Sequence, residues 1–256
     1  MFASVPESTI DYERAGAAIA LKSTLKVLNW NVAKTNNGET WQRDYQQIVG
    51  EFEPDIICLQ EVQLDAESQT LASFTHMNWQ FAPNFKNAFD NSYCGVLIGA
   101  KASCVKHQAL HTKHSEPIAN TPKVAIFSEF EIADRTDSLM VVSVHAINFV
   151  PLAQFEAQMR AIATTLSQHQ GGIVLAGDFN TWSKGRLRSL LQITEGLDLR
   201  PVTFPSKDRQ HLKRFLLSPP LDHLFYRGLG HIPRSARVID TPSSSDHNPL
   251  FVALGL

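Results

Sequence analysis

From Leu25 onward the chain alternates apolar runs of strand length with amphipathic stretches of helix length, and this alternation constrains the fold more than any other feature. Runs rich in Val, Ile, Leu and Phe at Lys26–Asn31, Asp55–Gln60, Gly95–Gly99, Val124–Glu131, Leu139–His145, Gly172–Gly177, Leu221–Tyr226 and Pro249–Ala253 predict strands. Helical spacing predicts helices over Thr40–Phe52, with apolar Trp41, Tyr45, Ile48, Val49 and Phe52, and over Leu64–Met77, Pro151–Gln168 and Lys184–Gln192. Strands interleaved with helices favour an α/β domain. Turn-forming residues Asp134 to Asp137 separate two apolar runs around Ala133–Ser138, so part of the sheet is expected to be antiparallel. A mixed sheet, or a pair of them, fits better than a doubly wound fold. With 43% hydrophobic and 19% charged residues there is ample material for a core, which excludes intrinsic disorder. No repeat or Pro/Ser-rich linker divides the chain, so residues 25–256 are read as one domain.

Several classes are disfavoured early. A formal net charge of −2 argues against a uniformly basic nucleic-acid wrapper. Cys58, Cys94 and Cys104 form neither a disulfide framework nor a CxxC metal site, which predicts a reducing compartment. The small apolar stretch from Ala15 to Leu21 follows Asp11, Glu13 and Arg14 rather than a basic region, unlike a signal peptide. No segment offers the roughly 18 uninterrupted apolar residues of a membrane span. A soluble cytoplasmic protein is expected, with residues 1–24 as a loosely ordered or loosely docked lead-in.

The apolar runs stop at residues able to hold a metal or a phosphate: Asn31 after Leu28-Asn29-Trp30, Glu61 after Cys58-Leu59-Gln60, His145 after Val141-Val142-Ser143-Val144, Asp178 and Asn180 around Phe179, Asp222 after Leu221, and Asp246-His247 before Asn248-Pro249. One such carboxylate is ordinarily a cap or turn residue. Six blocks together point to convergent strand ends, where α/β proteins place their sites, and an Asp/Glu/Asn/His set without cysteine suits hard cations. Asp178 and Asn180 are two apart, so extended backbone would aim both to one side, an anionic acceptor beside an amide donor.

These blocks, NWN, PDIICLQE, HAIN, GDFN, LDH and SDHNP, resemble the signature blocks of the endonuclease/exonuclease/phosphatase superfamily in the same order, over about Leu25 to Leu254, and most closely its YafD-type bacterial branch. The resemblance implies a four-layer α/β sandwich of two face-packed mixed sheets flanked by helices, with the site at one edge. It implies a divalent-metal-dependent phosphoesterase, with Mg²⁺ or alternatively Mn²⁺ as cofactor. Glu61 becomes the principal metal ligand, Asn31 lies beside the metal and orients Asp178, and Asp246 is a metal-side carboxylate. Asp178, Asn180, Asp222, His247 and His145 become catalytic, with Asn148 near the phosphate. Two roles stay open for His247: the base that activates water, or a cation on the phosphate while Asp178 is the base. His223 should face away from Asp222's side and is read as structural.

A phosphodiester in nucleic acid is the first expectation for the substrate. Lys184 to Arg237 carries a net charge of +7 beside the catalytic strand ends. Lys184, Arg186, Arg188, Lys207, Arg209, Lys213 and Arg214 are candidate contacts, and Trp182 is a platform for stacking on a base or a cap for a lipid-like group. The abasic-site branch of the superfamily follows its WN block with Gly-x-Arg, has Lys after LQE, and precedes the late Asp with Asn-x-Gly-x-Arg. Here Val32-Ala33-Lys34-Thr35, Val62-Gln63 and Ser218-Pro219-Pro220-Leu221 stand in those places, which counts against abasic-site specificity. The alternatives are a phosphodiesterase or phosphatase acting on a small molecule or lipid headgroup, although no exposed apolar hairpin for membranes is evident, and a non-catalytic binding protein. The last would be expected to lose some of Glu61, Asp178, Asp222 or His247, and all four are present.

Overall fold

Each of the eight apolar runs expected to be a strand coincides with one, apart from a single leading residue at Asp55, Leu221 and Pro249, because residues along it alternate between two buried faces. The computed structural model describes residues 2–3, 9–65, 76–117 and 120–255. In chain order the strands are β1 (Phe2–Ala3), β2 (Ile10–Tyr12), β3 (Thr24–Asn31), β4 (Ile56–Leu64), β5 (Asn78–Asn87), β6 (Tyr93–Ala100), β7 (Cys104–His111), β8 (Val124–Glu131), β9 (Ser138–His145), β10 (Gly172–Asp178), β11 (Arg200–Pro201), β12 (Asp222–Arg227), β13 (Gly230–His231), β14 (Arg237–Val238) and β15 (Leu250–Gly255). The helices are α1 (Glu39–Phe52), α2 (Leu152–Leu166) and α3 (Lys184–Glu195). The helix expected over Leu64–Met77 falls largely on residues 66–75, outside the described residues, while Leu64 itself closes β4.

One sheet has the order β1-β5-β6-β4-β3-β15-β13, with β2 also pairing β5 and β14 pairing β15; the other has the order β11-β12-β10-β9-β8-β7. Both are mixed. β3 and β4 run parallel, joined through α1, and β9 and β10 run parallel, joined through α2, as parallel neighbours require a crossover. The hairpin expected around Ala133–Ser138 joins antiparallel β8 and β9.

Side-chain alternation sets the layers. Val27, Ile56, Cys58, Val141, Val174 and Ala176 meet in the core between the sheets. Their neighbours Leu28, Ile57 and Leu59 turn outward to pack with Trp41, Tyr45 and Ile48 of α1. Val142 and Leu175 turn the other way, onto Phe155, Met159 and Ile162 of α2 and Leu190 of α3. The order is therefore helix, sheet, sheet, helices: the four-layer α/β sandwich. With both faces covered, the central strands read as nearly continuous apolar runs. A polar pin crosses the middle layer, where buried Gln60 donates through Nε2 to Asn29 Oδ1 on β3 and to Ser143 Oγ on β9, both at 3.0 Å.

This topology gathers the functional residues. The carboxyl ends of β3, β9 and β10 and the amino ends of the antiparallel β12 and β15 lie at one edge. In register, Asp178 stands opposite His145 on one side and Asp222 on the other. Gly177 permits that last rung: a Cβ there would meet Val144 O of β9 at 2.1 Å, against a backbone φ of +156°. Gly177→Ala is expected to lower stability by about 1–3 kcal/mol in urea unfolding, through forced separation of β9 from β10. Gly50→Ala in α1, where a Cβ meets nothing within 4 Å, is expected to raise it by about 0.5–1 kcal/mol, so the two changes shift the urea midpoint in opposite directions.

Candidate active site

Glu61 reaches the cleft by a local irregularity. By strand alternation it would share the face of Ile57 and Leu59 toward α1. The register of β4 instead slips between Leu59 and Val62, where Glu61 adopts φ +55°. This bulge returns Val62 and Leu64 to the α1 side and turns Glu61 toward the second sheet. Its Oε1 lies 3.6 Å from His145 Nε2 and its Oε2 lies 3.0 Å from Lys34 Nζ. Left-handed backbone at a non-glycine costs about 1 kcal/mol or more. Ala33, Lys34, Phe149 and Asn180 also adopt it and line the same cleft, so strain concentrates where side chains must be aimed.

Asp178 is the best-held carboxylate. Asn31 Nδ2 donates to its Oδ2 at 3.0 Å and the Asn180 backbone N–H donates to its Oδ1 at 2.9 Å. Asn31 Oδ1 in turn accepts from Ala33 N, and Asn180 Nδ2 donates to Ala146 O. Burial first, and then the Asp222 carboxylate, push Asp178 up to about 7. Asp222 Oδ2 lies 2.8 Å from His247 Nδ1, and the His247 backbone carbonyl accepts from Trp30 Nε1. Burial alone would lower His247, but Asp222, with Asp178 and Asp246 behind it, outweighs that and pushes it up to about 9. It is therefore an imidazolium at neutral pH. His145 goes the other way: burial, then Lys123, drive it well below its usual value, leaving it neutral. Burial also opposes the charge on Glu61, yet its surroundings hold it below the usual carboxylate range; since His145 is neutral, Lys34 and Lys123 supply the positive charge.

Asn31, Lys34, Glu61, Lys123, His145, Asp178, Asn180 and His247 line a cavity of about 330 Å³ together with Glu116, Asn148, Lys213, Phe215 and Asp246. Lys34, Lys123 and Glu116 were not singled out from sequence as site residues. Lys34 had appeared only as a departure from the abasic-site pattern, and the other two lie in the β7–β8 connection and at its end, with no local signal of the cleft. Glu116 accepts from the Asn148 backbone N–H and pairs with Lys123.

The expected substrate contacts divide. Arg186 is a correction: it is 1% exposed, its guanidinium donates to Ile147 O, Asn180 O and Val150 O, and it sits over the rings of Phe155 and Trp182. Three carbonyl partners and two aromatic faces leave it no reach to a substrate. Trp182 spends its indole N–H on Asn148 Oδ1, and Lys213 is paired with Asp246. Lys184, Arg188 and Arg214 are exposed. His223 faces away from the cleft, against Thr181 and Pro220.

Comparison with known proteins agrees with this geometry. Residues 28–247 match the model of the endonuclease/exonuclease/phosphatase family. The chain belongs to that family. Among its relatives are the UPF0294 protein of Vibrio parahaemolyticus serotype O3:K6, 36% identical over 91% of this chain and 78% of the relative, and that of Klebsiella pneumoniae, 31% identical over 93% and 84%. The fold matches an endonuclease/exonuclease/phosphatase from Beutenbergia cavernae (TM-score 0.66, 17% identity, 91% of this chain and 72% of that one) and the human Nocturnin catalytic domain with bound sulfate (TM-score 0.65, 17% identity, 93% and 96%). Nucleases and phosphatases, the enzymes of the endonuclease/exonuclease/phosphatase family, are phosphoester hydrolases. Among the described residues no helix is long and apolar enough to cross a membrane.

The residues fit a divalent cation. Asp178, Asp222 and His247 each bring a donor atom within 4.8 Å of the others. The protonated imidazole offers no lone pair, so this trio is reduced to two carboxylates, and further oxygen donors of the cleft include Glu61, Asn31 and Asp246; Asp222 Oδ1 is buried without a hydrogen-bond partner among the described residues. The Asp222–His247 pair has a testable signature. Its folded value, about 9, lies above the usual 6.5 of an unfolded histidine, so its stabilisation is complete below about pH 6.5 and lost as pH rises through 9. Asp222→Asn is expected to move the His247 titration, followed by NMR of the imidazole protons, at least one unit toward 6.5 and to remove that part of the alkaline loss of Tm.

Proposed function

We propose that the protein is a divalent-cation-dependent phosphodiesterase in which Asp178 is the general base and His247 a fixed cation. The observation that carries this reading is how the two buried neighbours are held: Asp178 by neutral donors alone, Asn31 Nδ2 at 3.0 Å and the Asn180 N–H at 2.9 Å, and His247 by the Asp222 carboxylate at 2.8 Å, so that Asp178 is raised to about 7 and His247 to about 9. A base poised near neutrality removes a proton from water most effectively, and a histidine protonated at pH 7 stabilises charge rather than accepting a proton. Asn31 and the Asn180 N–H hold the Asp178 carboxylate in place. The second amide hydrogen of Asn180 and the neutral His145 imidazole are assigned to phosphoryl oxygens.

Glu61, with Asn31 and Asp246 beside it, is assigned to hold the cation, and the all-oxygen donors favour Mg²⁺, with Mn²⁺ as an acceptable substitute. Such a cation polarises the phosphoryl oxygen and neutralises charge on the leaving oxygen. Lys34 and Lys123 keep Glu61 ionised and ready to ligate. Asp246 is restrained by Lys213, and its exposed carboxylate suits contact through water. Three free cysteines agree with placing the reaction in the cytoplasm.

The substrate is assigned as a phosphodiester. Nucleic acid, expected from the basic stretch, retains Lys184, Arg188 and Arg214 as contacts but loses Arg186. A phospholipid headgroup is the second reading, favoured by the exposed loop at Phe215–Leu217.

Turnover of bis-p-nitrophenyl phosphate is expected with Mg²⁺ or Mn²⁺ and is expected to vanish with chelator. Asp178→Ala and His247→Ala should each lower kcat/KM by about 10²–10⁴-fold; rates that survive both changes would overturn the assignment. Glu61→Gln should raise the cation concentration giving half-maximal rate by roughly tenfold or more. The rate should fall as pH rises through about 9, where His247 loses its proton, and Asp222→Asn should bring that fall to lower pH.

A further inference from the structure

Two leucines stand where neither burial nor turn chemistry would put them. Phe215 to Ser218 forms a tight turn in which Ser218 N donates to Phe215 O at 2.9 Å and Phe215 N donates to Ser218 Oγ at 2.9 Å. Its central residues are Leu216, at φ +50°, and Leu217. Turn positions of this kind favour Gly, Asn or Asp. Here they carry aliphatic side chains that are 97% and 101% exposed. The protrusion is braced rather than frayed: Leu221 N donates to Lys213 O across its base, and Arg214 Nη1 donates to Ser218 O. Other exposed apolar residues, such as Ile19, Phe89 and Val105, stand singly. These two adjoin the half-exposed Phe215, which lines the catalytic cavity, and Phe149 lines the same cavity at 58% exposure. Phe-Leu-Leu in sequence reads as core material, whereas the structure exposes Leu216 and Leu217 at a turn.

We propose that the Phe215–Leu217 turn inserts into the interface of a bilayer containing anionic phospholipid and delivers a phospholipid phosphodiester to the Glu61–Asp178–His247 cleft. The proposal rests on the phosphodiesterase reading of that cleft and names its substrate class. Three observations select this occupant. The two outermost side chains, Leu216 and Leu217, are aliphatic and enter hydrocarbon without stacking on a base, while the rings of Phe215 and Phe149 stand at the cavity wall. Arg214 stands exposed at the base of the turn, and Lys184, Arg188, Lys207 and Arg209 of the surrounding stretch of sequence are exposed as well, so an anionic surface is drawn to this region. The rim is continuous with a phosphate-directed cavity, so one molecule must present a phosphodiester and an apolar body side by side, as a glycerophospholipid does.

The test uses the full chain with sedimented vesicles of phosphatidylcholine alone or with phosphatidylglycerol, and the double substitution Leu216→Ser with Leu217→Ser. With Mg²⁺ the protein is expected to sediment with the phosphatidylglycerol vesicles and to hydrolyse their diester: water oxygen bonds to phosphorus, one P–O ester bond breaks and the leaving oxygen is protonated, giving glycerol phosphate with diacylglycerol or glycerol with phosphatidic acid. The double substitution should weaken vesicle partitioning about tenfold or more while bis-p-nitrophenyl phosphate turnover stays within about twofold. Turnover of the soluble diester without vesicle binding would overturn the docking surface alone, as would vesicle binding indifferent to the substitution. Retention on single-stranded DNA that the substitution abolishes would overturn it in favour of nucleic acid. Vesicle binding by a protein inactive on every diester would overturn the hydrolase reading and leave the docking surface standing.

Discussion

Two carboxylates, Asp178 and Asp222, face each other on the last rung between β10 and β12, both almost wholly buried, and the rest of the cleft answers that repulsion. Ionising both away from water is costly unless hydrogen bonds and a cation compensate. His247 supplies the cation to Asp222, while Asn31 and the Asn180 N–H supply donors to Asp178. Compensation is deliberately incomplete in physical terms: Asp178 is still pushed up to about 7. A fully satisfied carboxylate would be more stable and a poorer base. The site thus keeps unfavourable electrostatic energy at one buried carboxylate, which the proposed role of Asp178 as a base draws on.

Holding that arrangement falls to residues outside the reacting set. The loop after β9 is tied from behind, with Gln158 of α2 accepting from Ile147 N and donating to His145 O, and Arg186 of α3 donating to Ile147 O and Val150 O. The same guanidinium reaches Asn180 O, so one buried arginine couples the His145 and Asp178 segments. Glu116 fastens Asn148 from the opposite side, and Asp44 accepts from the Ser243 and Ser244 amides in the turn before Asp246. Backbone strain at Ala33, Lys34, Glu61, Phe149 and Asn180 is tolerable because the three helices and both sheets restrain the surrounding loops.

What could be read from sequence follows from which physical signals are local. The central strands were legible because burial on both faces writes an unbroken apolar run. β5 and β7 were not: Asn78–Asn87 contains Pro83, Asn84 and Lys86, and Cys104–His111 is a half-exposed edge strand with no clean alternation. The site blocks were legible because strand ends carry them in order. Lys34, Lys123 and Glu116 were not, since their membership depends on where loops from distant parts of the chain come together. Charge misled at Arg186, because a guanidinium stacked on Phe155 and Trp182 satisfies buried carbonyls as readily as it binds phosphate.

Arg186 also changes what the basic stretch means. Its charge is spent inside the protein, and the first cause of its lowered pKa, to about 10, is burial. Lys213 is likewise committed to Asp246. Net charge along a segment therefore overstates the field that a substrate meets, because cations that brace the architecture contribute little outside it. Attraction for a polyanion comes from fewer, exposed groups, and binding that relied on them alone would be strongly screened by salt. Apolar contact does not suffer that screening. Few free cations and an aliphatic turn at the mouth of the cleft are the two features on which the proposed interfacial phosphodiester rests, and a long, uniformly charged strand would draw on neither.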